Sequence, residues 1–135
     1  MTDHPFYYDP PKVRISDSEI VVQKQCLDMI AKLFPRTRVA AVPNGQKRTR
    51  WQAQRAKAEG MSKGFVDLVV LGSHYVDGSQ FGNEPLVAFC EIKAAGSMTP
   101  EQLEWLTFMA RCGHHCGVFR SDRTLEYKLR HWGFL

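Results

Sequence analysis

The chain has 135 residues, enough for one ordinary domain with a real core. At 44% hydrophobic and 24% charged its composition is globular, and no apolar run approaches the ~18 residues of a bilayer span. The formal charge of +4 is modest, and MTDHPFYYDP carries no basic segment followed by an apolar one, so no secretory leader is read and a cytoplasmic, intracellular chain is expected.

Residues 1–15 are rich in proline and read as a loose N-terminal segment, leaving 16–135 as the folded domain. SDSE then opens a helix with Ser16 as N-cap and Glu19 three residues later. Glu19, Val22, Cys26, Ile30 and Leu33 follow helical spacing and share one face, and Pro35 follows the helix end. Arg38 to Val42 reads as a short strand cut by Pro43-Asn44-Gly45. Lys47 to Glu59 has helical composition and stops at Gly60. FVDLVVLG is a strand interrupted by Asp67, the polar tract GSHYVDGSQFGNEP is a long turn-rich loop, and LVAFCEIK is the next strand, so the pair predicts a hairpin. Thr99 caps a helix with Pro100 at its first position, running to Cys112. HCGVFRS is a strand and LEYKLRHW a final short helix. This order predicts one α/β domain with a mixed central β-sheet flanked by helices.

Cysteine chemistry adds little. CGHHC, Cys112 to Cys116, packs four potential ligands into five residues, which is poor zinc geometry because structural sites join two separated pairs. It reads instead as a helix end stopped by Gly113. Basic residues are more telling. Lys47, Arg48, Arg50, Arg55, Lys57 and Lys63 lie between Pro43 and Gly64, opposed only by Glu59, and Arg120, Arg123, Lys128, Arg130 and His131 form a second group. Such clusters suit a phosphate backbone, and equally a solvated helix face. Trp51, Trp105 and Trp132 read as core or interface, with Trp51 among the basic residues also able to touch DNA. His74, His114 and His115 read as loop and junction residues rather than general bases.

LVAFCEIK begins as a buried apolar strand and ends in an acid and an amine. Alternation along the strand puts Glu91 and Lys93 on one side and Ile92 on the other. FVDLVV places Asp67 in the neighbouring strand, where a carboxylate is ionised only with a partner. A divalent cation is one partner, because two carboxylates and a backbone carbonyl make a hard oxygen site suited to Mg²⁺ or Mn²⁺. Lys93 cannot ligate while protonated, but it can orient water or offset charge on a phosphate. A buried ion pair with a structural role alone is the other reading. Glu19 and Gln102 also have two readings, since each follows a Ser or Thr cap by three residues and can close a capping box.

Asp67 followed by Glu91-Ile92-Lys93 resembles the D…(D/E)-x-K signature of the PD-(D/E)XK nuclease superfamily. The surroundings are similar to its virus-type replication-repair nuclease (VRR-NUC) family: Ser18-Glu19 opening the first helix, the Pro43-Asn44 turn, a basic helix ending in Gly60, Gly64 to Val70, then Gly96 and Thr99-Pro100-Glu101-Gln102. The likeness runs from about Ser16 to Phe119, with Val66 where the family usually has proline. It implies a restriction-endonuclease-like fold and a Mg²⁺- or Mn²⁺-dependent endodeoxyribonuclease. Asp67, Glu91 and the Ile92 carbonyl would be metal ligands, with Glu19 joining through water. Lys93 would be the catalytic lysine, and Gln102 and Gln23 would line the site. The basic residues Lys47, Arg48, Arg50, Arg55, Lys57 and Lys63 would hold DNA. The resemblance also implies branched or junction DNA as substrate and a homodimer like Holliday junction resolvases, in a bacterium or phage. Flap or nicking nucleases of phage replication share this chemistry. An inactive DNA-binding module on the same fold is a different class, against which the intact Asp67, Glu91 and Lys93 stand.

Overall fold

The computed structural model describes residues 4–11, 18–43, 50–58, 60, 63–75 and 83–135. Its elements run β1 (Tyr7–Tyr8), α1 (Glu19–Leu33), β2 (Arg38–Ala41), α2 (Arg50–Ala58), β3 (Leu68–Tyr75), β4 (Asn83–Ile92), α3 (Pro100–Arg111), β5 (His115–Phe119) and α4 (Asp122–Trp132). The five strands form one mixed sheet in the order β1-β5-β4-β3-β2. β3 is antiparallel to both β2 and β4, while β4, β5 and β1 run parallel. The expected α/β domain with a helix-flanked mixed sheet is present.

Strand alternation divides the core in two. Leu68, Val70, Ala88, Cys90, Ile92 and Phe119 face α1 and α4, where Val22, Cys26, Ile30, Leu125 and Leu129 meet them. Cys116 and Val118 face the other way, against Leu106 and Met109 of α3, with Phe6 and Val66. Burial on both faces explains why the central strands read as near-continuous apolar runs. On α1, Met29 joins the buried face and Leu33 lies half out in solvent, so the face is rotated slightly from that expected.

Two expectations at the N-terminal end need correction. The segment expected to be loose contains β1, which pairs with Gly117 and Val118 of β5. A side chain at position 117 would come 2.7 Å from the Tyr7 carbonyl oxygen, so glycine there admits the extra strand. Phe6 and Asp9 on either side of it are buried. The cap of α1 is Ser18, whose Oγ accepts from the Val21 N–H at 3.4 Å, whereas Ser16 lies outside the described residues. Glu19 is therefore the first helical residue and not the third, the position from which a capping box is closed. Both serines of SDSE suit a cap, and the choice releases the Glu19 carboxylate.

The predicted hairpin forms as β3 and β4, though residues 76–82 of its loop are outside the described set. His74, expected in the loop, belongs to β3 and lies 3.7 Å from Glu84. α3 starts as read from the sequence, with Thr99 capping and Pro100 in the first turn. Gly113, at φ 93°, follows its end, where the Gly113 N–H bonds the Ala110 carbonyl.

Candidate metal centre

Three chain segments meet at the C-terminal end of β4. Leu68 pairs with Cys90, so the residue before β3, Asp67, comes level with Glu91. Asp67 was expected inside the strand and instead stands at its entrance, its N–H bonded to the Cys90 carbonyl and its carbonyl accepting from Val42 N–H at 2.7 Å. Its Oδ2 accepts the Ile92 N–H at 2.8 Å, which fastens the side chain across the strand end. Gly64, at φ 82°, lets the approach to Asp67 run against the start of α3; a side chain there would sit 2.6 Å from the Glu101 Cβ.

Glu91 is almost fully buried. Its Oε1 accepts from Gln102 Nε2 at 2.9 Å, and its carboxyl also hydrogen-bonds with that of Asp67. Gln102 satisfies both of its readings, since its Oε1 also accepts from the Thr99 N–H and completes the capping box. The amide thus spends its acceptor on the helix start and its donor on the acid. Glu19, exposed at the start of α1, brings a carboxylate oxygen close enough that oxygens of Glu19, Asp67 and Glu91 all lie within 4.8 Å of one another. Lys93 is buried beside them, and its backbone N–H bonds the Phe119 carbonyl at 3.0 Å.

Three carboxylates at this spacing oppose each other's ionisation. Burial first, then the charge of Asp67 and a hydrogen bond to it, pushes Glu91 up to about 10, although Lys93 draws it down. Glu19 is also raised, above all by partial desolvation of its carboxyl where it meets the other acids, and by Asp67, against the pull of Lys93 and Arg120. A divalent cation fits this arrangement. The donors are hard oxygens brought together from three separate segments, and an ion among them would offset the repulsion that now keeps Glu91 protonated.

The remaining expected residues are placed less closely. Gln23 is half-buried on α1, and no hydrogen bond described joins it to the acids. Ile92 is buried in the core on the α1 and α4 side, as alternation required. Arg50, Arg55 and Lys57 lie on α2, an exposed helix that packs against no other described element, where Trp51 is 65% exposed and Arg55 stacks over its ring at 5.6 Å. Lys63 sits 3.6 Å from Glu101, beside the start of α3. Lys47 and Arg48 lie outside the described residues.

The second basic group does not form one surface. Arg120 is buried, Lys128 lies over the rings of Tyr7 and Trp132, and Arg130 pairs with Glu126. In the CGHHC run Cys112 is exposed, while Cys116 is buried with its thiol on the Leu106 carbonyl. Among the described residues the one group of acids, thiols or imidazoles gathered at ligand spacing is Glu19, Asp67 and Glu91. No described helix is long and apolar enough to cross a membrane.

Comparison with protein-family models, curated proteins and solved structures returns no match to this chain.

Proposed function

We propose that this chain is a metal-dependent DNA endonuclease of the VRR-NUC type, on a restriction-endonuclease-like fold, hydrolysing phosphodiester bonds. The observation that carries the reading is the convergence of Glu19, Asp67 and Glu91 from three separate segments, with Lys93 next along the strand face. A structural ion pair needs one acid for one amine; this site gathers three acids.

Asp67, Glu91 and the Ile92 carbonyl would hold Mg²⁺ or Mn²⁺, with Glu19 contributing through water. When bound, the ion supplies charge that polarises the scissile phosphate and makes a coordinated water more acidic. Gln102 holds Glu91 in one rotamer, and Asp67 ties the β3 entrance to the end of β4, so the acids are set before substrate arrives. Lys93 orients the attacking water or offsets the negative charge that develops on the phosphate. The exposed cations of α2, with Lys63, hold the DNA backbone without reading bases, which favours recognition of DNA shape. Branched or junction DNA cut by a homodimer, with one site for each strand, is the form of the activity we propose.

Incubating the purified protein with linear, flap and four-way DNA, in Mg²⁺, in Mn²⁺ and in chelator, tests the reading. Metal-dependent cleavage that favours branched substrates supports it. Absence of cleavage of all three under every condition refutes it.

A further inference from the structure

Arg120 was read from the sequence as part of a basic surface, yet it is only 3% exposed. Its Nε donates to the Asp9 carbonyl at 2.9 Å and its Nη1 to the Ala94 carbonyl at 2.8 Å, while Nη2 is buried with no acceptor. Its backbone N–H donates to Asp9 Oδ2 at 2.9 Å, an oxygen that also accepts from Thr124 Oγ1 at 2.8 Å. Among the described residues, carbonyls and not a carboxylate hold this guanidinium. A buried cation in that state is costly, and an apolar side chain of similar volume is often as stable or more so. Fold stability alone is a weak reason for an arginine here.

Its location supplies a better one. Arg120 directly follows Phe119, whose carbonyl accepts the Lys93 N–H at 3.0 Å. Two consecutive residues of β5 and its exit therefore grip two consecutive residues past the end of β4: Phe119 holds the amide of Lys93, and Arg120 holds the carbonyl of Ala94. We propose that Arg120 is a positioning residue for Lys93, fixing the backbone that carries this amine at the end of β4 beside the carboxylate cluster. This rests on the nuclease reading only for its consequence in catalysis. A displacement of about 1 Å of a reacting group can cost on the order of a hundredfold in rate, so a small slackening at Ala94 has a large effect.

The test compares Arg120→Met with Thr124→Val, which loosens the same Asp9 network and leaves the grip on Ala94 in place. Amide hydrogen exchange at Lys93 should accelerate about tenfold or more in Arg120→Met and remain near wild type in Thr124→Val, at matched melting temperatures. Single-turnover cleavage should fall roughly 10- to 100-fold in Arg120→Met, with DNA affinity measured in Ca²⁺ unchanged, and Thr124→Val should keep its rate. Should Arg120→Met fail to fold, Arg120→Lys serves instead: it keeps the charge, cannot reach both carbonyls, and should show the same pattern at smaller size. Unchanged exchange at Lys93 in a folded Arg120 variant overturns the proposal, as does a rate loss equal in Thr124→Val. A wild-type protein that cuts no DNA refutes the nuclease reading by itself, and the exchange measurement still decides the positioning role.

Discussion

Replacing Asp67 with asparagine separates a metal centre from a structural cluster of charges. The substitution keeps an oxygen able to accept the Ile92 N–H, now bonded at 2.8 Å, so the strand end stays fastened. It removes the negative charge that, after burial, does most to hold Glu91 in its protonated form. Without metal, Asp67→Asn should therefore melt at or above the wild-type temperature. With metal the order reverses. At about a hundred times Kd a bound ion adds about 2.7 kcal/mol to wild-type stability, and loss of one ligand charge that weakens binding about a hundredfold leaves only about 0.4 kcal/mol. For a domain of this size the wild-type increment corresponds to a rise of roughly 10 °C in Tm. Differential scanning calorimetry in chelator and across a Mn²⁺ titration measures both numbers. A flat wild-type titration would refute the metal centre. So would an Asp67→Asn protein with the full wild-type response.

Glu91→Ala and Lys93→Ala should each abolish cleavage while leaving DNA affinity in Ca²⁺ within about threefold of wild type, if the binding comes from the proposed phosphate contacts of α2; gel-shift titration beside a cleavage assay checks both. Replacing Arg50 and Arg55 with alanine should weaken binding to all sequences alike and reduce the slope of log affinity against log salt by up to about 0.9 per lost duplex phosphate contact, and an unchanged slope would move the DNA path elsewhere. Gln102→Ala should cost about 1 kcal/mol for the capping box and about 1–3 kcal/mol more for removing the donor to the buried Glu91 Oε1, read as a lower urea midpoint. Glu91 also predicts the pH response. Its pKa is raised in the folded protein from 4.5 to about 10, so between those values the native state holds a proton that the unfolded chain has lost. Metal-free stability is then greatest at the acid end and falls as pH rises, by at most about 1.4 kcal/mol per pH unit for this one group. Metal-free Tm should decline between about pH 6 and about pH 8.5, and Glu91→Gln should flatten the decline.

What the sequence determined by itself is what short-range geometry controls. The two-residue period of a strand sufficed to put Glu91 and Lys93 on one side and Ile92 on the other, and the apolar runs on either side of Asp67 and before Glu91 marked the central hairpin. Thr99, Pro100 and Gln102 announced the start of α3 because a capping box is closed within four residues. Other features depended on partners distant in the chain. Two serines in SDSE were equally good caps, and only packing of α1 on the sheet selected Ser18 and sent the Glu19 carboxylate to Asp67 and Glu91. β1 is two residues long, too short for a periodic signal, and exists because Gly117 admits it beside β5. Arg120 carried the sequence signature of a surface cation, yet its backbone meets Asp9 across 111 positions of chain and its side chain meets Ala94 across 26. Local spacing states which side chains can share a face; which faces then close upon one another is decided by burial of the whole core, and that placed the third acid and the buried guanidinium.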